Sequence, residues 1–391
     1  MSYRFSQRVE GLKSSAIREI LQVVNRPDVI SFAGGLPAVD LFPTEHIARL
    51  AADLFASPQA GQSLQYSETE GHTGLRERIV ERLPYQTTKF EAGNVLVTQG
   101  SQQGIDLLTK LFLDPGDEIL VESPSYLGAL QVFRFFGAKI TFLKCDDDGI
   151  DPDDLREALK RKPKLLYMTP TFQNPTGLCY SAARRKALRD VVAGTGIVVV
   201  EDDPYRELWY DEAPPAPLTD GLAPEQTVYL GSFSKTAMPG LRIGYLVAAP
   251  DLVRRCVQVK QATDLQTNTL GQHILYRYLG EPSFEHHVQN LRRVYGERRD
   301  ALHQTLQEKL GDALSWRRPQ GGMFLWARLT QGGSAAELLP LALEQGLAFV
   351  PGAEFHAAGQ GLDTLRLNFT HAAPERLREG VERLTRAFGR V

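Results

Sequence analysis

Seven short runs, each apolar at nearly every position, alternate with helix-like stretches between residues 95 and 248. The runs are Val95-Leu-Val, Glu118-Ile-Leu-Val, Lys139 to Leu143, Lys164-Leu-Leu-Tyr-Met, Ile197-Val-Val-Val, Val228-Tyr-Leu and Tyr245-Leu-Val. A strand with one wet face alternates apolar and polar residues, whereas a strand apolar throughout is buried on both faces. Ser101 to Phe112, Tyr126 to Phe136, Asp153 to Lys160 and Ala182 to Ala193 read as the intervening helices. Short strands separated by helices in this way predict a mostly parallel sheet between two helical layers. The expected class is α/β, with a three-layer large domain.

At 391 residues the chain is too long for one simple core and fits about two domains. The large domain is expected over residues 44–275, opening with helices from Thr44 to Phe55 and from Gly74 onward. Beyond Leu252 the alternation stops. A long charged helix reads from Phe284 to Lys309, with Arg292, Arg293, Arg298 and Arg299 as a solvated face. Three strands, Gly322-Met-Phe-Leu-Trp, Leu347-Ala-Phe-Val and Thr364-Leu-Arg-Leu-Asn-Phe, follow it, which predicts a small α+β domain over residues 276–391. Residues 1–43 have no core of their own and are expected to pack on that domain or over a partner subunit. Within them Ile17, Ile20, Leu21 and Val24 fall at helical spacing, with Ser14 or Ser15 as N-cap. The glycines of Ser31-Phe-Ala-Gly-Gly-Leu-Pro37 read either as a plain turn or as backbone that approaches a ligand closely at Gly35. Ala213-Pro-Pro-Ala-Pro-Leu reads as a surface loop.

A net charge of −3 leaves no basic excess with which to neutralise a nucleic-acid backbone. Three widely spaced cysteines, Cys145, Cys179 and Cys256, are expected as free thiols in a cytoplasmic protein. No run approaches the length of a membrane span, and no apolar signal core opens the chain. His286-His287 is the only close histidine pair and falls on a helix expected at the surface, so no metal site is predicted.

Open α/β sheets bind ligands beyond the carboxyl ends of their strands, and polar residues collect there. The first strand leads into Thr98-Gln-Gly-Ser-Gln-Gln-Gly, a glycine turn that opens a helix with free N–H groups suited to an anion at Gly100, Ser101 and Gln102. The fourth leads to Asn174 in Gln173-Asn-Pro-Thr-Gly, and the fifth to Glu201-Asp-Asp-Pro-Tyr205. The sixth leads to Gly231-Ser-Phe-Ser-Lys-Thr-Ala-Met-Pro-Gly-Leu-Arg242, where one lysine stands among two hydroxyls and a guanidinium. Ser232, Ser234 and Arg242 can hold a phosphate while Lys235 reaches an aldehyde carbon to form a Schiff base. That combination points to pyridoxal 5'-phosphate. The cofactor is an electron sink only while its ring nitrogen is protonated, which a buried carboxylate enforces. Asp202 is the first candidate and Asp203 the second, with the Tyr205 phenol placed to bond the ring hydroxyl.

Gly100-Ser-Gln-Gln, Asn174-Pro-Thr-Gly, Asp202-Asp-Pro-Tyr205, Ser232-Phe-Ser-Lys235 through Arg242, and Leu365-Arg366-Leu-Asn-Phe occur in the order seen in class I aminotransferases. From about residue 30 onward the chain resembles that family, whose fold is type I. The resemblance implies that Tyr126 stacks on the cofactor ring and that Arg366 and Asn174 hold the substrate α-carboxylate. It also implies a homodimer in which Tyr66 reaches the neighbour's cofactor phosphate and substrate site. Pro204 stands where the family usually has a small alanine. Ser31-Phe-Ala-Gly-Gly-Leu-Pro, Gln65-Tyr-Ser-Glu-Thr-Glu-Gly and Gly321-Gly-Met-Phe-Leu-Trp resemble the 2-aminoadipate/kynurenine aminotransferase branch. Its implied activity exchanges an amino group between 2-aminoadipate, glutamate, leucine-like or aromatic amino acids and a 2-oxo acid such as 2-oxoglutarate. Lys235 is then the general base. Ser15 and Arg18 belong to a mobile substrate cover, and Arg18 either pairs with a distal carboxylate or is a solvated helix residue. A β-lyase built on the same cofactor residues and an aminotransferase-like ligand sensor are the other readings.

Overall fold

The computed structural model describes residues 3–10, 26 and 28–389. The seven apolar runs form one sheet: β1 Val95–Thr98, β2 Glu118–Val121, β3 Lys139–Phe142, β4 Leu165–Met168, β5 Val198–Asp202, β6 Thr227–Ser232 and β7 Gly244–Ala248. Their order across the sheet is β1-β7-β6-β5-β4-β2-β3, and only β7 runs against its neighbours. Every residue of β1, β4 and β5 is buried, as apolar runs without alternation require.

Local chemistry sets the helices between the strands. Asp151 caps Pro152–Leu159 ahead of a proline in its first turn, and Ser181 caps Ala182–Val192 by accepting the Arg184 N–H at 3.1 Å. One helical layer buries Ile105, Leu108, Ala129, Phe133 and Val253 against the sheet, and the other buries Leu155, Leu188 and Val192. The helices Pro250–Gln261 and Thr269–Leu279, where the alternation of the sequence gives no guide, belong to this large layered unit.

A second, antiparallel sheet is built from β8 Leu314–Trp316, β9 Phe324–Leu329, β10 Val350–Pro351 and β11 Thr364–Asn368, in the order β8-β9-β11-β10. The extended piece at Ile30–Ser31 pairs with Leu347–Ala348, and Phe32 is buried in the small sheet's core with Leu325, Leu367 and Val381. The long helix Pro282–Leu310 serves both cores. Phe284 and Val288 pack with Leu50 and Leu279, while Leu302 and Leu306 pack with Leu325 and Leu384.

The arginines of that helix are not the solvated face expected of them. Arg298 and Arg299 are 4% and 3% exposed, and Arg292 lies 4.2 Å from the Trp209 ring. Arg299 pairs with Asp211 and Asp300, and Arg298 with Asp40 and the Thr370 carbonyl. Only Arg293 behaves as predicted, with its side chain 62% exposed. The helix keeps one exposed stripe, which includes Arg293, while the charges on its covered faces find partners on the segments laid over it. His287 is half-buried beside Tyr278, and burial pushes its ring down to about 4. The Pro-rich loop also turns inward at its end, where Pro217 and Leu218 are buried. Among the described residues, no helix is long and apolar enough to cross a membrane, and no group of acidic, histidine and cysteine side chains could hold a metal ion.

Candidate active site

The carboxyl ends of β1, β4, β5 and β6 lie along one edge of the large sheet, and Arg366 on β11 is brought to the same place. Gly100 turns the chain from β1 into the helix Ser101–Phe112 with φ 77°, a left-handed conformation. A Cβ on Gly100 would stand 2.9 Å from Arg242 Nη2, and one on Gly244 would stand 2.6 Å from the Gly100 carbonyl carbon. The turn therefore needs glycine at both places. Arg242 Nη2 donates to the Gln99 carbonyl at 3.3 Å, and Nη1 lies 3.5 Å from Ser234 Oγ. Ser232 Oγ donates to Ser234 Oγ at 3.0 Å. Two hydroxyls, a guanidinium without a carboxylate partner among the described residues, and the first N–H groups of a helix make an anion cradle.

Lys235 follows this cradle, and its amine donates to the Gly35 carbonyl at 2.9 Å. Burial, then the charges of Arg242 and Arg366, push the amine down to about 8. A lysine in that state exchanges its proton near neutral pH.

Asp202 is 2% exposed at the end of β5. Tyr167 Oη donates to its Oδ2 at 2.7 Å, whereas the buried Oδ1 has no partner. Burial, opposed by the Tyr167 hydrogen bond, lifts the carboxyl to about 7. Asp203 has a cation of its own, accepting from Arg206 Nε at 2.8 Å and from Tyr229 at 3.1 Å, although its Oδ1 also lacks a donor. Tyr126 Oη donates to Gln102 Oε1 at 3.2 Å, and Gln102 Nε2 donates to the Gly128 carbonyl at 2.9 Å. Tyr205 stays buried despite Pro204 before it, edge-on to Phe324. Burial raises its phenol above the usual range.

Arg366 is 4% exposed. Its Nη1 donates to Asn174 Oδ1 at 2.7 Å and its Nη2 to the Ala33 carbonyl at 2.6 Å, while Nε has no partner. The guanidinium lies 4.3 Å from the Phe324 ring and 5.2 Å from the Phe355 ring. It pairs with no carboxylate among the described residues, and burial pushes it down to about 10. Tyr66 is 78% exposed on its loop. Ser15 and Arg18 lie outside the described residues.

Tyr167, Phe324 and Phe355 were not singled out by sequence reasoning. A tyrosine within the apolar run of β4 is a usable signal, because a buried phenol needs a partner at the strand end. The two phenylalanines carry no such mark. A cavity of about 1180 Å³ lies between the small sheet and the Lys144–Gly149 stretch; it borders Gln173 and Gly177, and none of Lys235, Asp202 or Arg366 lines it.

These residues fit the cofactor on the structure's own terms. An orphaned carboxylate oxygen suits a protonated ring nitrogen, the glycine-shaped cradle suits a phosphate, and a depressed lysine suits an aldehyde. The family described as aminotransferase class I and II matches residues 27–384. The chain belongs to that family, and it is a pyridoxal-phosphate-dependent aminotransferase of fold type I. It is 43% identical to a 2-aminoadipate transaminase of Thermus thermophilus, over 99% of this chain and 97% of that one. It is 40% identical to aromatic-amino-acid aminotransferase 1 of Thermococcus litoralis, over 97% and 93%. The crystal structure of the alpha-aminoadipate aminotransferase from T. thermophilus, complexed with N-(5'-phosphopyridoxyl)-L-leucine, superposes with a TM-score of 0.90 at 41% identity, covering 98% of this chain and 97% of that one.

Proposed function

We propose that the enzyme moves the amino group of 2-aminoadipate or glutamate, and of leucine-like or aromatic amino acids, to a 2-oxo acid such as 2-oxoglutarate. The observation that carries this is Arg366, a buried guanidinium with a free Nε and no carboxylate of its own among the described residues. Such a group is costly unless an anion arrives, and every substrate in this set brings an α-carboxylate. The names of the relatives, one acting on aromatic amino acids and an aminoadipate aminotransferase of T. thermophilus whose structure holds a leucine adduct, support a pocket that accepts side chains of different polarity.

When bound, pyridoxal phosphate supplies the electron sink that lets a Cα–H bond break. The chain's residues supply the rest. Arg366 and Asn174 hold the carboxylate, which fixes the Cα–H bond toward Lys235. The Lys235 amine takes the α-proton and carries it on Nζ. Asp202 would keep the ring nitrogen of the cofactor protonated, and Tyr205 and Tyr126 would help to hold the ring. Gly100, Ser101, Gln102, Ser232, Ser234 and Arg242 would hold the phosphate.

The enzyme acts as a homodimer in this reading. Tyr66 is exposed in the single chain, yet its loop is pinned where Gln266 accepts the Ser67 N–H at 2.5 Å. A held aromatic side chain without cover suits a partner's site. Arg18 pairs with the distal carboxylate of acidic substrates and swings out for apolar ones. Arg18→Ala is therefore expected to lower kcat/KM for 2-aminoadipate about 10- to 100-fold and that for leucine by less than threefold, the difference expected of one charge-assisted pair. Equal losses for both substrates would remove Arg18 from this role, and no transfer from any of these donors would overturn the substrate assignment.

A further inference from the structure

Lys260 lies on the helix Pro250–Gln261 with its side chain 0% exposed, a place where lysine is rare without a purpose-built set of partners. Its Nζ bonds Gln103 Oε1 at 3.0 Å, Asp264 Oδ1 at 2.8 Å and Asp264 Oδ2 at 3.0 Å, which uses all three of its protons. Gln103 is equally committed. Its Oε1 also accepts the Gln99 N–H at 2.9 Å, and its Nε2 donates to Asp264 Oδ2 at 2.7 Å.

These bonds decide the shape of the anion cradle. The Gln99 N–H is taken by Gln103 and the Gln99 carbonyl by Arg242, so the residue before Gly100 is held from both sides. The Gly100 N–H turns back to the Thr98 carbonyl at 2.8 Å, and the N–H groups of Ser101 and Gln102 precede the helix's own hydrogen-bond ladder.

We infer that Gln103, Lys260 and Asp264 form a positioning cluster that sets how strongly the Gln99–Ser101 turn grips the cofactor phosphate. The inference rests on the reading of that turn as the phosphate cradle. None of the three touches the reacting atoms.

The test is equilibrium binding to cofactor-free protein, with pyridoxal 5'-phosphate and with pyridoxal, which lacks the phosphate. Lys260→Met and Gln103→Leu are each expected to weaken pyridoxal 5'-phosphate about tenfold, to leave pyridoxal within about twofold, and to reduce competition by inorganic phosphate. Asp264→Asn, whose one oxygen at the Oδ2 position still accepts from both neighbours, is expected to stay within about threefold of wild type. Gln103→Leu removes no charge and carries the test alone if Lys260→Met does not fold. Equal weakening of both ligands, or no weakening of either, overturns the cluster's role. Failure of the wild-type protein to bind pyridoxal 5'-phosphate would instead overturn the site reading beneath it.

Discussion

Arg366 and Asn174, 192 positions apart in sequence, meet at 2.7 Å in a buried pocket where no carboxylate among the described residues neutralises the guanidinium. The contact joins the small sheet to the loop after β4, so the carboxylate recognition proposed for this pair depends on how the two lobes are held together. Neither lobe alone carries the pair.

Arg366→Met is expected to lower kcat/KM for every amino donor by roughly 30- to 150-fold, the loss of a charge-assisted interaction of about 2–3 kcal/mol. Because the guanidinium is buried without a counter-ion, the same change should leave urea stability of the cofactor-free protein unchanged or raised. Steady-state kinetics on two donors and one denaturation curve check both halves. A stability loss of about 3 kcal/mol would mean that Arg366 is chiefly structural.

Asp202 gives a pH dependence with a definite sign. Burial raises its carboxyl from 3.8 to about 7, so its contribution to stability is fully present below pH 3.8 and is lost as pH climbs through 7. If Asp202 holds the cofactor's ring nitrogen as proposed, bound cofactor would offset that loss. Cofactor-free Asp202→Asn should therefore lose less thermal stability between about pH 5 and pH 8 than cofactor-free wild type. Glu122, buried and also raised to about 7, leaves a residual slope in both proteins. Loaded Asp202→Asn should bind cofactor but transfer amino groups at least about 100-fold more slowly. Parallel melting curves against pH for the two cofactor-free proteins would remove Asp202 from the titration.

The large sheet was legible because its signal is local. A strand buried on both faces must be apolar at each step, and β1, β2 and β4 to β7 declare themselves one by one, whereas the edge strand β3 has Lys139 exposed and the rest half-buried. The residues at their ends were legible for the same reason, since Asp202, Lys235 and Gly100 sit where strands stop. Arg298 and Arg299 show where this reasoning ends. An arginine on a charged helix reads as solvated, and its burial depends on Asp211, Asp40 and Thr370 arriving from elsewhere in the chain. Phe324 and Phe355 are hidden similarly, because a phenylalanine under a guanidinium looks in sequence like any core phenylalanine.

That difference can be measured on one helix. Arg299→Ala removes the buried guanidinium that Asp211 and Asp300 share with the half-exposed Arg318, together with its bond to the Pro319 carbonyl, and is expected to cost about 1–3 kcal/mol. Arg293→Ala, whose side chain is 62% exposed beside Glu297, should change stability by no more than about 0.5 kcal/mol. Equal effects in urea unfolding would restore the solvated face read from the sequence.

As the proposed proton carrier Lys235 must be neutral to take a proton, and in the folded protein burial and the charges of Arg242 and Arg366 push its amine down to about 8. The neutral form grows as pH rises, so kcat should climb with pH and level off above about 8. Lys235→Ala should lower kcat by roughly 10²- to 10⁴-fold or more and abolish that limb. The pocket it vacates still holds the Gly35 carbonyl, which accepts an amine at 2.9 Å in the native protein. Small primary amines added to the variant should therefore restore part of the rate, and more basic amines should restore more of it. A kcat that is flat from about pH 6.5 to 9.5 in the wild type, or a variant that no amine revives, would place the proton carrier on another residue.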